Sequence, residues 1–101
     1  RGTWNYDFTV LVLKRPLQQY TAICLPNEHD DFTNNECILA GWGRVGTNPP
    51  HYAEFLQETS STINARCGPY EQLLTPASIC VGYKGKASGC NGDSGELVVV
   101  Y

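Results

Sequence analysis

The chain has no methionine, only two histidines, and 17% charged residues. Its seven lysines and arginines never cluster, and with a net charge of −3 this argues against a nucleic-acid partner. No apolar run approaches the roughly 20 residues that a membrane helix needs, so no membrane partner is expected. The apolar run over 8–13 is too short for a secretory leader and lacks a cleavage motif. Any leader or pro-segment is therefore expected to have been removed already. Low-complexity sequence is missing too, and 42% apolar with 11% aromatic content excludes a disordered chain. No two cysteines form a C-x-x-C pair and neither histidine stands at zinc-ligand spacing, so no metal or other cofactor is expected.

Cysteine, by contrast, is plentiful: Cys24, Cys37, Cys67, Cys80 and Cys90. With methionine absent, this points to an oxidising compartment, hence a secreted, extracellular protein. The odd count means that at least one thiol is free or pairs outside these residues. At 101 residues the chain suffices for one modest domain and is too short for two.

Short strands separated by turn signals predict an all-β chain. Residues 8–13, apolar on both faces, read as a buried strand that Lys14-Arg15-Pro16 ends. Asn34-Asn35 opens a second strand over 36–42, stopped by Gly43, and the glycine and prolines of 46–50 make a loop. A third strand is predicted over 54–61. A short helix follows over 62–67, with Ser61 or Thr62 as its cap and Gly68-Pro69 as its terminator. Strands over 78–82 and 96–101 complete the set, and the last is an edge that invites pairing. All-β barrels commonly run about 200–250 residues, so the chain reads as a piece of one. It has no internal repeat and no linker.

The chemistry concentrates in Ser88-Gly89-Cys90-Asn91-Gly92-Asp93-Ser94-Gly95. A serine between glycines suits a strained turn that presents a hydroxyl, because glycine tolerates positive φ and lets a substrate backbone come close. The N–H groups of Gly92 and Ser94 can converge on a developing oxyanion. Asp93 would need a buried cationic partner. A plain surface turn is the competing reading, since Gly, Asp and Ser are the usual turn residues. An α/β-hydrolase elbow is rejected, because Glu96 replaces its last glycine and a β run follows instead of a helix.

Several motifs, in order, decide between these readings. They are the run 5–13 from Asn5 to Leu13, then Ile23-Cys24-Leu25-Pro26, then 37–43 from Cys37 to Gly43. Leu56-Gln57, Ile79-Cys80-Val81-Gly82-Tyr83 and the turn Gly92-Asp93-Ser94-Gly95 follow. Together they resemble the trypsin/chymotrypsin family of serine endopeptidases, its elastase and chymotrypsin branch in particular. The resemblance implies a two-barrel fold. Residues 1–26 would end the first barrel and cross over, and 27–101 would form part of the second.

Within that resemblance Ser94 is the nucleophile and Asp7 orients the catalytic imidazole, as in the Ser-His-Asp template. Gly92 and Ser94 form the oxyanion hole, and Asp93 pairs with the ammonium of a freshly cut N-terminus, a role Arg1 is not placed to fill. Ser88, Gly89 and Asn91 belong to the specificity pocket. A neutral Ser88 at its floor cannot offset a buried cation, so cleavage after uncharged residues, small aliphatic or aromatic, is implied. Cys67 and Cys80 would be bonded, Cys90 would pair beyond Tyr101, and Cys24 would bridge upstream. Cys37 would ordinarily reach a cysteine near the place where Val100 stands. Glu96-Leu97 also departs from the glycine and proline that usually follow the serine turn.

The family's histidine precedes its aspartate by far more than the residues before Asp7. His29 and His51 read as solvated loop residues. The implied partners are a peptide or protein substrate, a second chain or segment supplying the histidine and remaining strands, and protein protease inhibitors. The isolated chain is expected to be inactive. Two functions follow: part of a secreted serine endopeptidase working through an acyl-enzyme, or a non-catalytic homologue that binds or regulates. A disulfide-linked structural domain unrelated to proteases fits the ordered motifs poorly.

Overall fold

A computed structural model describes residues 6–82 and 88–101, which leaves Arg1, Asn5 and Tyr83 of the motifs above outside the described residues. Its centre is β1, Glu36–Gly41, whose Cys-Ile-Leu-Ala run has the apolar character of a strand interior. Asn34, in the left-handed region at φ 67°, turns the chain into it. β1 pairs antiparallel along its whole length with β4, Gln57–Asn64, from Glu36↔Thr62 to Gly41↔Gln57. On its other side β1 takes β6, Val98–Val99, through Ile38↔Val99 and Leu39↔Val98. β5, Cys80–Val81, adds to β4, giving an antiparallel sheet of order β5-β4-β1-β6. The Asn64 side-chain amide donates to Gly82 O and secures that edge. A separate hairpin joins β2, Arg44–Val45, to β3, His51–Tyr52. Among the described residues the two sheets do not close into a barrel. Among the described residues Cys37 and Ile63 are the buried apolar residues of the core.

Several predicted elements are corrected. Residues 8–13 form no strand: Phe8, Val10, Leu11 and Val12 are 76–92% exposed. A strand needs a neighbour to take its N–H and C=O groups, and none of the described residues pairs with this run. The predicted helix over 62–67 is absent, because 62–64 continue β4 between the ladders of β1 and β5. A 3-10 helix instead spans Gly68–Leu73, so Gly68-Pro69 starts a helix where a stop was expected. Proline suits a first turn because its missing N–H is not needed there. Glu71 Oε2 completes the entry by accepting from Cys67 N at 2.9 Å.

Pairing also moves the strand limits. The third strand lies at 57–64 and not 54–61, since those are the positions facing β1 and β5. The second ends at Gly41, and the last two shrink to Cys80–Val81 and Val98–Val99. The loop 46–50 closes the β2–β3 hairpin, which the sequence reading missed.

The Asn27–Asp31 region is a polar turn, with Asn27 N donating to Asp30 Oδ2 at 2.7 Å. The Thr33 hydroxyl and then its amide N–H hold the Asp31 carboxyl below its ordinary range. No helix among the described residues is long and apolar enough to cross a membrane.

Cys67 and Cys80 form a disulfide, their Cα atoms 5.6 Å apart, that ties the 3-10 helix to β5. Cys37, Cys24 and Cys90 carry free thiols in this structure. Cys37 stands opposite Ser61, whose buried hydroxyl has no hydrogen-bond partner. Continuing the β1–β6 register places Val100 on its other flank. Burial pushes the Cys37 thiol up from its ordinary value.

Two outcomes follow. Replacing Cys67 and Cys80 together by alanine lowers the unfolding free energy by about 3 kcal/mol, read from urea denaturation, because it frees a loop of roughly 15 residues in the unfolded chain. An unchanged midpoint would contradict this. Alkylation with iodoacetamide at neutral pH modifies exposed Cys24 and Cys90 quickly and buried Cys37 only on unfolding. Peptide mapping by mass reads the order, and early modification of Cys37 would refute the assignment.

Candidate active site: the serine turn

Two reverse turns in series shape residues 90–96. Asp93 N donates to Cys90 O at 3.0 Å, and Glu96 N donates to Asp93 O at 3.1 Å. Gly92 at φ 96° and Gly95 at φ 89° occupy backbone conformations strained for any residue with a Cβ. The result presents Ser94 on the surface with Asp93 pointing inward, half-buried.

Asp93 anchors the turn to the sheet. Its Oδ2 accepts from Cys90 N at 2.8 Å, and its Oδ1 accepts from Gly43 N at 2.7 Å. Among the described residues each carboxylate oxygen is met by a backbone N–H, a charge-assisted bond that also compensates partial burial. Gly41 and Gly43, both buried, flank the carboxylate so closely that a Cβ on either would overlap it. Next along the chain, Arg44 N donates to Asn91 O at 2.8 Å. The exit of β1 therefore grips residues 91 and 93 by two successive amides.

Gly92, Asp93 and Ser94 thus share one anchored turn, and Ser88 and Gly89 lie beside it. Ser88, Gly89, Asp93 and Glu96 line a groove of about 530 Å³ against Leu39 and Glu58 of β1 and β4. Asn91 does not line this groove; its contribution is the carbonyl that meets Arg44. Asp7 is exposed, just after Tyr6 at φ 60°, on the segment that pairs with nothing described. No described side chain hydrogen-bonds the Ser94 hydroxyl or the Asp7 carboxylate. His51 Nδ1 lies 3.3 Å from Pro49 O inside the hairpin loop, and His29 is exposed in the 27–31 turn. Among the described residues no group of three His, Cys, Asp or Glu side chains could hold a metal ion.

Sequence reasoning missed Gly41 and Gly43 as part of this site. Their signal was available: two glycines one residue apart at a strand exit mark a place where something approaches the backbone closely.

Comparison with known proteins gives the family that the motifs resemble. The family model described as Trypsin matches residues 1–99. Human transmembrane protease serine 5 is 32% identical over 106 residues, covering 94% of this chain and 23% of its own length. Rat chymotrypsin-C is 34% identical over 101 residues, covering 91% and 37%. Xenopus laevis trypsin is 40% identical over 67 residues, covering 62% and 28%. The chain thus spans 23–37% of the length of these relatives. No solved structure matches it.

The glycine slot makes a direct prediction. Asp93→Ala leaves two amide N–H groups without an acceptor and costs about 1–3 kcal/mol each where they stay buried. Gly43→Ala displaces the same carboxylate by steric overlap and destabilises to a similar extent. Thermal or urea unfolding of both variants reads the effect, and a Gly43→Ala protein as stable as the parent would exclude the slot.

Proposed function

The chain belongs to the trypsin family of serine proteases, and from that premise we propose that it acts as a non-catalytic protease homologue, a module that binds or regulates without cutting. The engagement of its histidines carries this reading. His51 is occupied with Pro49 O in the hairpin loop and His29 lies in an exposed polar turn, so neither is a hydrogen-bonded base for Ser94. Among the described residues the Ser94 hydroxyl therefore has no hydrogen-bonded base, and an unactivated serine is a poor nucleophile at neutral pH. Glu96 adds to this. It follows the turn where the family carries glycine, and a Cβ on Gly41 would meet its Cγ at 3.0 Å. A peptide or protein segment is the natural ligand of the groove beside Ser88 and Gly89, and the compartment is extracellular.

A second reading is favoured by the turn itself. Gly92, Asp93 and Ser94 share one turn anchored through the Asp93 carboxylate, and Ser94 is exposed on it. In the larger protein a histidine from another segment would complete a triad with Asp7 and Ser94, and the strands of two barrels would close around residues 1–26 and 27–101. Asp93 would then meet the ammonium of a cleaved N-terminus, and protein protease inhibitors would be partners. With neutral Ser88 at the pocket floor, this enzyme would cleave after uncharged residues.

A fluorophosphonate probe on the full-length protein separates the two, since it requires an activated serine and a formed oxyanion hole. The proposed reading expects no label at Ser94. Stoichiometric labelling abolished by Ser94→Ala would overturn it in favour of the protease, and Asp7→Asn would then lower turnover by about four orders of magnitude.

A further inference from the structure

Residues 91 and 93 of the serine turn are held by amides of the β1 exit, whereas residue 92 is held by a side chain. A Cβ on Gly92 would stand 2.9 Å from Tyr52 Cε1, 3.2 Å from Tyr52 Cδ1 and 3.2 Å from Gly43 Cα. The Cδ1–Cε1 side of the Tyr52 ring and Gly43 Cα thus both occupy the face of Gly92 where a Cβ would stand. Tyr52 reaches it because β3 pairs with β2 through Arg44↔Tyr52, and Arg44 donates its own N–H to Asn91 O. Ala53 N, next to Tyr52, donates to Gly43 O at 3.1 Å and closes the ring of contacts. Three consecutive turn residues, 91, 92 and 93, are each met from residues 44, 52 and 43.

We propose that Tyr52 is a positioning residue for the serine turn, its ring fixing Gly92 at positive φ so that the N–H groups of Gly92 and Ser94 keep their aim. The ring does this and the hydroxyl does not: Tyr52 makes no side-chain hydrogen bond among the described residues and is 65% exposed overall. Its role needs no reaction at Ser94, so the proposal goes beyond the functional reading above and stands whichever reading of Ser94 holds.

The test uses the full-length protein, with nuclear magnetic resonance and amide hydrogen exchange. The α-protons of Gly92 should show cross-relaxation to the Tyr52 ring protons and a ring-current shift. Tyr52→Ala should remove the shift and speed exchange of the Cys90 and Asp93 amides about tenfold or more, while β1 and β4 amides keep their protection. Tyr52→Phe should restore both. Unchanged exchange in Tyr52→Ala, or no recovery with Tyr52→Phe, would overturn the proposal. Should Tyr52→Ala fail to fold, cross-relaxation in the unmutated protein decides: its absence overturns the proposal and its presence with Tyr52→Phe rescue sustains it.

Discussion

One carboxylate organises this molecule's functional end. Asp93 enters a slot between Gly41 and Gly43 and receives the Gly43 N–H, which joins the exit of the central strand to a turn 50 residues away. A hydrogen bond to an ionised acceptor is about twice as strong as one between neutral groups. It is available here only because both neighbours lack a Cβ. The contact fixes the turn beside the strand exit that leads into the hairpin, and Asp93 also lines the groove beside Ser88. Displacing the carboxylate would leave the Arg44 amide and the Tyr52 ring as the described contacts between the β1–β3 region and the turn, with β6 still paired to β1 beyond it.

The sheet that supports this contact is narrow. β1 has a partner on each side, but the core comprises only Cys37 and Ile63 among the described residues. The Cys67–Cys80 bridge secures the β5 edge, where apolar burial is slight. The apolar residues of 8–13 stay exposed because burial of a β run requires a second strand, and hydrophobicity alone cannot supply the backbone partners.

Membership of a protease family fixes the ancestry of the turn and leaves its use open, since function lies in particular side chains and the same fold hosts many activities. The turn residues stand as the resemblance implies, and the residues behind the turn depart from what it implies. Glu96 follows Gly95 with its stem near Gly41, and Cys37 faces a register position held by Val100, so a buried thiol stays unpaired where a cross-strand bridge would be expected.

The sequence by itself determined the all-β class, a strand over 36–42 of which 36–41 form, the glycine-flanked serine and the ordered motifs that resemble the family. These are local signals: β-prone residues bounded by turn formers, glycines at positive φ, and residue types whose chemistry is legible without neighbours. It misplaced residues 8–13 and 62–67, because strand formation depends on a partner and the identity of that partner is not local. Only the tertiary structure decided that Asp93 is met by amides, that Gly41 and Gly43 form its slot, and that Tyr52 lies against Gly92. Apart from the Cys90 amide, which is local, those contacts join residues about 40 to 50 positions apart, and spacing along the chain carries no trace of the distance between them in space.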